Sequence, residues 1–248
     1  MKWRTGFISD LHLGTPGCQA GAILEFLRDH DFDTLFLVGD IVDIWALRRR
    51  RFWPQEHNDV IQKLLRKARK GTRVVYIPGN HDEFVGTLIE REEFHFGNVE
   101  FAAQAVHVLA DGRRLFVMHG HELDGVVQNL GWLAHVGDFL YGVLLRLNGP
   151  LNFFRRLFGR PYWSLSAYIK NQVKDVVKFL GDYEAAIAKY AAQQKADAVL
   201  CGHIHHAGIR QIGAVTYCND GDWVESCTAI LEDQEGRLTL YRHPRPGS

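Results

Sequence analysis

The stretch TLFLVGDIVDIW, Thr34 to Trp45, decides the fold. Five residues of a short apolar run read as a β-strand, and a glycine and an aspartate end it in a tight turn. A second aspartate, Asp43, follows three positions after Asp40. On each side the pattern changes period. Upstream lie the strand-like TGFIS and a helical stretch from about Gln19 to Arg28; downstream lie a helical stretch from about Gln55 to Lys70 and the strand-like RVVYIP. This alternation is the βαβ rhythm of an α/β protein. Gly71 stands where a helix C-cap belongs, and Lys63, Arg66, Lys67, Arg69 and Lys70 place cations near that carboxyl end.

Further along, the runs VEFAAQAVHVL, RRLFVMH, DAVLCG, AVTYCN, CTAILED and RLTLYR read as strands with few helices between them, so a mixed, two-sheet architecture is expected. Between about Leu123 and Gln194 the sequence turns helical, aromatic and interrupted by glycine. A stretch of this length between two strands is expected to be an inserted helical cap. The expected domains are therefore a core of residues 1–122 with 195–248, and a cap of residues 123–194.

Composition narrows the class. A chain of 248 residues with 46% hydrophobic content can bury a sizeable core. Lysine plus arginine and aspartate plus glutamate number 29 each, so overall charge draws the chain to no nucleic acid, and none is expected as a partner. Cys18, Cys201, Cys218 and Cys227 form no C-x-x-C pair, which argues against a thiolate zinc site or a disulfide framework. The N-terminus meets Asp10 before a signal-peptide core forms, and no uncharged apolar run reaches the ~18 residues of a membrane span. A cytoplasmic protein is expected.

Polar residues able to bind metal recur directly after the apolar runs. Asp10 and His12 follow the first, Asp40 and Asp43 the second, and Asn80, His81 and Asp82 the third; His119 and His121 follow RRLFVM, and His203, His205 and His206 follow DAVL. In an open α/β sheet such positions gather at the carboxyl ends of the strands, where ligands bind. Taken singly, each motif is an ordinary turn or cap. Five in order, each at an expected strand end, point to one metal site. Carboxylate, imidazole and amide donors without thiolate suit manganese, iron or zinc, and so many imidazoles argue against magnesium or calcium. The donors are too many for one ion; two divalent metals bridged by Asp40 would use them and activate water against a phosphorus centre. His107 and His135 stand outside these motifs and read as ordinary histidines.

The ordered motifs, D-x-H, G-D-x-x-D, G-N-H-D, a lone histidine and G-H-x-H, resemble those of the calcineurin-like metallophosphoesterases, from Arg4 to about Asn219. The resemblance implies a two-sheet αββα sandwich carrying the helical cap. It implies Asp10, His12, Asp40 and His205 as ligands of one ion, and Asp40, Asn80, His119 and His203 as ligands of the other. It also implies that His81, oriented by Asp82, contacts the phosphate and assists the leaving group.

Within that superfamily, GDIVDIW, HGHELDG, RPYWSLSAYIKNQVK, CGHIHHA and NDGDWVESCTAILE are similar to the bacterial UDP-2,3-diacylglucosamine hydrolases and their paralogues. The implied reaction splits the pyrophosphate of UDP-2,3-diacylglucosamine into UMP and 2,3-diacylglucosamine 1-phosphate, a step of lipid A synthesis, with manganese as the expected metal. The chain departs from the pattern at two places: the lipid A enzymes carry Arg where His81 stands, and they and their paralogues carry Asp where His121 stands. The alternative is a phosphoesterase acting on another phospholipid, a nucleotide or a phosphodiester. A non-catalytic scaffold of the same fold ranks last, because every motif position is filled.

The cap supplies a second line of reasoning. Trp132, Phe139, Tyr141, Phe153, Phe154, Phe158, Tyr162 and Trp163 are interspersed with Arg146, Arg155, Arg156 and Arg160. Such a face can house acyl chains or lie peripherally on the inner membrane while the arginines meet anionic headgroups. Arg48 to Arg51 form a second basic run, read as a solvated face beside the metal loop, and Asn219, Asp220, Asp222 and Glu225 form either a ligand loop or an acidic turn.

Overall fold

The computed structural model describes residues 1–85, 98–124 and 165–244, with side chains in the last segment from 179 onward. Two sheets carry the fold. The first has six strands in the order β11-β10-β1-β2-β3-β4, from β1 (Lys2–Ile8), β2 (Asp31–Val38), β3 (Arg73–Ile77), β4 (Val99–Phe101), β10 (Thr228–Glu232) and β11 (Leu238–Arg242). β1 to β4 are parallel, and β10 and β11 add on antiparallel. The second has five strands in the order β5-β6-β7-β9-β8, from β5 (Ala105–Val108), β6 (Arg114–Val117), β7 (Ala198–Cys201), β8 (Gly208–Ile212) and β9 (Val215–Asn219). β6, β7 and β9 are parallel, flanked by antiparallel edges.

Alternate residues of the parallel strands build two different cores, as the two-residue period of a strand requires. Phe7, Phe36, Val38, Val75 and Ile77 pack with Leu115, Val117, Ala198, Leu200 and Cys218 between the sheets. Their neighbours Ile8, Leu35, Leu37, Val74 and Tyr76 pack outward with Ile23, Phe26, Leu27, Val60 and Leu64. These last come from α1 (Ala20–Asp29) and α3 (Gln55–Arg69). Burial on both faces explains why these strands read as unbroken apolar runs. On the far side of the second sheet, Phe116 meets Tyr190 edge to face at 5.7 Å.

Local signals account for the boundaries. α3 ends at a C-cap followed by Gly71 at φ +100°, a left-handed position that glycine adopts without strain. Lys67, in its last turn, is buried and donates to the carbonyl of His30 at 2.6 Å and to Asp31 at 3.0 Å. The stretch VEFAAQAVHVL, expected as one strand, is two: β4 closes the first sheet and β5 opens the second. Two elements escaped the periodicity. β8 hairpins onto β9 around Gly213 at φ +59°, and α2 (Ile44–Arg49) is a six-residue helix with no buried residue, too short to show a period. All four cysteines are free thiols.

The chain divides into two compact units, Met1–Glu122 with Ile187–Ser248, and Leu123–Ala186. A 29-residue helix, α4 (Leu165–Gln193), begins in the second and has its last turns in the first. No described helix is long and apolar enough to cross a membrane. The cap residues named above, from Trp132 to Trp163 with their arginines, and His135 lie outside the described residues.

Candidate metal centre

The site stands at the carboxyl ends of β1, β2, β3, β6 and β7, where a ladder of backbone bonds ties the loops together. Asp10 N–H donates to the Gly39 carbonyl at 3.0 Å, His12 N–H to that of Asp40 at 2.9 Å, and Gly202 N–H to that of His119 at 3.1 Å. The backbone itself singles out these loops. Non-glycine residues with positive φ are Asp10 (52°), His12 (49°), Asp40 (54°), His203 (68°), His205 (52°), Lys195 and Cys227 among those described. Such conformations cost on the order of 1 kcal/mol or more each and persist where the surroundings enforce them, typically at functional sites. All but the last two are the carboxylates and imidazoles of these loops.

The side chains converge. Asp10, His12 and His205 bring ligand atoms within 4.8 Å of one another, and so do Asp10, Asp40 and His119. Asp40 Oδ2 lies between the two groups, 3.4 Å from His119 Nε2, 3.9 Å from His81 Nε2 and 4.0 Å from His12 Nε2. His205 Nε2 stands 2.9 Å from Asp10 Oδ1. His203 joins through its backbone N–H, 3.0 Å from Asp10 Oδ2, and its ring lies 5.2 Å from that of His119. Four polar atoms around these carboxylates are buried with no hydrogen-bond partner: Asn80 Oδ1, His81 Nδ1, His119 Nε2 and His121 Nδ1. Buried polar atoms are ordinarily paired, so orphaned donors beside two carboxylates fit divalent cations.

Electrostatics agree with that chemistry. Burial alone would raise the Asp10 carboxyl, but His205, His119 and His12 around it hold it well below the usual range. Asp40 is likewise lowered against its burial, by His119 and His81. Burial opposes charge on His119 and His205, yet Asp40 lifts the first to about 10 and Asp10 the second to about 9. Two buried carboxylates thus draw protons onto the surrounding imidazoles. A divalent cation takes the place of those protons, which is why metal binding at such a site releases them.

One sequence expectation needs revision. Asp82 does not orient His81. Its carboxylate is fully buried and accepts from Gly79 N–H at 2.6 Å, Ile41 N–H at 2.8 Å and the Tyr76 hydroxyl at 2.5 Å, so it pins the loop after β3 to that after β2. The carboxylate beside His81 is that of Asp43, whose Oδ2 hydrogen-bonds His12 Nδ1 at 3.1 Å and lies 3.0 Å from His81 Nδ1 as an ion-pair contact without hydrogen-bond alignment. Its other oxygen caps α2 by accepting from Ala46 N–H at 2.6 Å. The imidazole of His81 is bracketed by His12, edge-on at 4.8 Å, and by the exposed Trp45 at 4.4 Å. The spacing G-D-x-x-D was the available signal for Asp43, and no sequence signal gave Trp45 a place.

The remaining candidates fall into two sets. His121, with its Nδ1 buried and unbonded, lies 5.4 Å from His119, ring to ring, and 6.3 Å from His203, close beside the centre. His206 turns away to Arg210, and Arg48 to Arg51 are exposed. Asp222 is spent on its own turn, accepting from Val224, Glu225 and Ser226 N–H groups. Asn219 Nδ2 donates to the Gly202 carbonyl at 2.7 Å, so the acidic-turn reading holds for both. His107 is the satisfied core histidine expected, 2.7 Å from Glu232.

Comparison with known proteins places this geometry. Residues 4–207 match the family model described as calcineurin-like phosphoesterase. A UDP-2,3-diacylglucosamine hydrolase from Chromohalobacter salexigens is 33% identical over 130 residues, 48% of this chain and 47% of that protein. A DNA polymerase II small subunit from Methanothermobacter thermautotrophicus is 25% identical over 163 residues, 54% of this chain and 34% of that protein. The chain spans between a third and a half of these curated relatives. Of solved structures, hypothetical protein PH1004 from Pyrococcus horikoshii OT3 shares the fold, with a TM-score of 0.52 at 11% identity over 100% of this chain and 90% of that one.

Proposed function

The chain belongs to the calcineurin-like phosphoesterase family, and from that premise we propose that it is a metal-dependent hydrolase of phosphoric esters and pyrophosphates. The observation that carries the reading is the convergence on Asp40 Oδ2 of imidazoles from loops after β1, β3 and β6. Asp10, His12, Asp40 and His205 would hold one divalent ion and Asp40, Asn80, His119 and His203 a second. When bound, such ions polarise the phosphoryl group and lower the pKa of water.

The protein's own groups do the rest. Asp40, reached from both sides, sets the spacing of the two ligand groups. His81, with one nitrogen toward Asp40 and the other against Asp43, is placed to donate a proton to the departing oxygen. Trp45 packs against that imidazole, ring to ring at 4.4 Å.

For the substrate we favour the pyrophosphate of UDP-2,3-diacylglucosamine, with manganese as the metal and the reaction in the cytoplasm at the face of the inner membrane. Support comes from the relative of that name at 33% identity and from the aromatic and arginine-rich sequence between Leu123 and Gln194. The test is UMP release from UDP-2,3-diacylglucosamine in detergent with Mn²⁺, beside an aryl phosphodiester. Release that stops with a chelator supports the full reading. Cleavage of the aryl ester alone removes the lipid A substrate and leaves a phosphodiesterase; turnover of neither removes the hydrolase.

A further inference from the structure

Behind Asp10, on the side away from the imidazoles, one hydroxyl faces too many acceptors. Ser9 Oγ lies 2.5 Å from Asp10 Oδ2, 2.7 Å from Asp220 Oδ1 and 3.2 Å from the Gly221 carbonyl. All three side chains are essentially without solvent exposure. A serine carries a single hydroxyl proton. With both carboxyls ionised, one of them would face oxygen lone pairs at hydrogen-bond distance, deep in the protein. Asp220 Oδ2, moreover, is buried with no partner at all, a poor setting for a carboxylate and a tolerable one for the carbonyl oxygen of an acid.

The contacts of Asp10 assign the proton. Its Oδ2 also receives the His203 N–H at 3.0 Å, and its Oδ1 faces His205 Nε2 at 2.9 Å, so Asp10 is the ionised member. Resting on the reading of Asp10 as a metal ligand, we propose that Asp220 is a neutral acid and, through Ser9, the positioning residue of Asp10. Asp220 donates from Oδ1 to Ser9 Oγ, and Ser9 donates to Asp10 Oδ2. Two donors then fix Oδ2, leaving Oδ1 directed at His205 and, 3.8 Å away, His12, as the oxygen available to a cation.

The surroundings hold this relay rigid. Asp220 is tied by its own N–H to the Cys201 carbonyl at 3.2 Å and by its carbonyl to the Thr228 hydroxyl at 2.7 Å. Gly202 closes the space: a Cβ there would stand 2.3 Å from Ser9 Oγ and 2.4 Å from Asp10 Oδ2.

The experiment measures Mn²⁺ affinity by titration calorimetry on the full chain and on Ser9→Ala, Asp220→Ala and Asp220→Asn, with the infrared carbonyl stretch of a protonated carboxylic acid recorded at neutral pH. Removal of such an outer partner of a ligand weakens metal binding by about 10- to 100-fold, the loss expected in Ser9→Ala and Asp220→Ala. Asparagine keeps a neutral donor, so Asp220→Asn should bind Mn²⁺ within a few-fold of wild type while losing the infrared band. An Asp220→Asn protein as weak as Asp220→Ala, a Ser9→Ala protein of unchanged affinity, or a wild type without the band would each overturn the proposal. Wild type that takes up no Mn²⁺ would overturn the metal reading of Asp10, and the proposal with it.

Discussion

Asp43 Oδ2 lies 3.0 Å from His81 Nδ1, and the same carboxylate caps α2 through its other oxygen. One side chain thus couples a helix start to the orientation of two imidazoles. Asp43→Ala should remove both, costing about 1 kcal/mol of stability for the cap and about 10- to 100-fold in kcat for the histidine contact. Asp43→Ser separates them, because a serine caps as well but does not reach His81. Thermal melts and turnover of an aryl phosphodiester with Mn²⁺ should show stability restored and kcat still low; full recovery of kcat would mean that His81 needs no carboxylate.

Asp40 carries a different load. Its Oδ2 is approached by His12, His81 and His119 together, so Asp40→Ala should abolish turnover and sharply weaken Mn²⁺ uptake. His81→Ala should leave metal content intact and lower kcat by at least ~10-fold, the contribution of a positioned proton donor. Metal analysis beside steady-state kinetics checks the pair. Wild-type rates in a fully loaded Asp40→Ala protein would remove the site as described.

Much of this was legible because strands buried on both faces must be continuous apolar runs, and each ended visibly in a polar motif. Asp10, His12, Asp40, His119 and His205 are neighbours in space for that reason alone. What stayed hidden depends on distances the sequence does not carry. Asp82 and Asp43 are both acidic residues near His81, and only the fold shows the first turned to backbone amides and the second to the ring. The same holds for Ser9 and Asp220, separated by 211 positions and joined at 2.7 Å.

Glycines give a test of packing at the site. At Gly79 a Cβ would stand 2.2 Å from Asp40 Oδ1, 2.7 Å from Asp40 N and 2.8 Å from His119 Nε2, whereas at Gly21, on α1, it would meet nothing within 4 Å. Gly79→Ala must push the Asp40 loop away from β3, and loss of Mn²⁺ binding is expected with it. Gly21→Ala should stabilise the protein by roughly 0.5–1 kcal/mol, the ordinary gain from removing a helix glycine. Melting temperatures and Mn²⁺ titrations of the two variants make the comparison.

Far from the centre, Glu232 ties the sheets together and sets part of the acid stability. Its carboxylate, without solvent exposure, meets His107 Nε2 at 2.7 Å, Ala110 N–H at 2.9 Å and the Arg4 guanidinium. Burial opposes its charge, but the contacts with His107, Thr5 and Ala110 N–H win and bring it from 4.5 down to about 2. A depressed acid contributes stability that is fully present above the unfolded pKa and is lost as pH falls through the folded one. The window therefore runs from about pH 4.5 down to about 2. At about 1.4 kcal/mol per pKa unit, the contribution is at most roughly 3 kcal/mol. Denaturant melts of wild type and Glu232→Gln across that range should converge as the pH drops, the variant being the weaker at neutral pH. A gap that is the same at pH 2 and pH 7 would show that Glu232 acts by shape and not by charge.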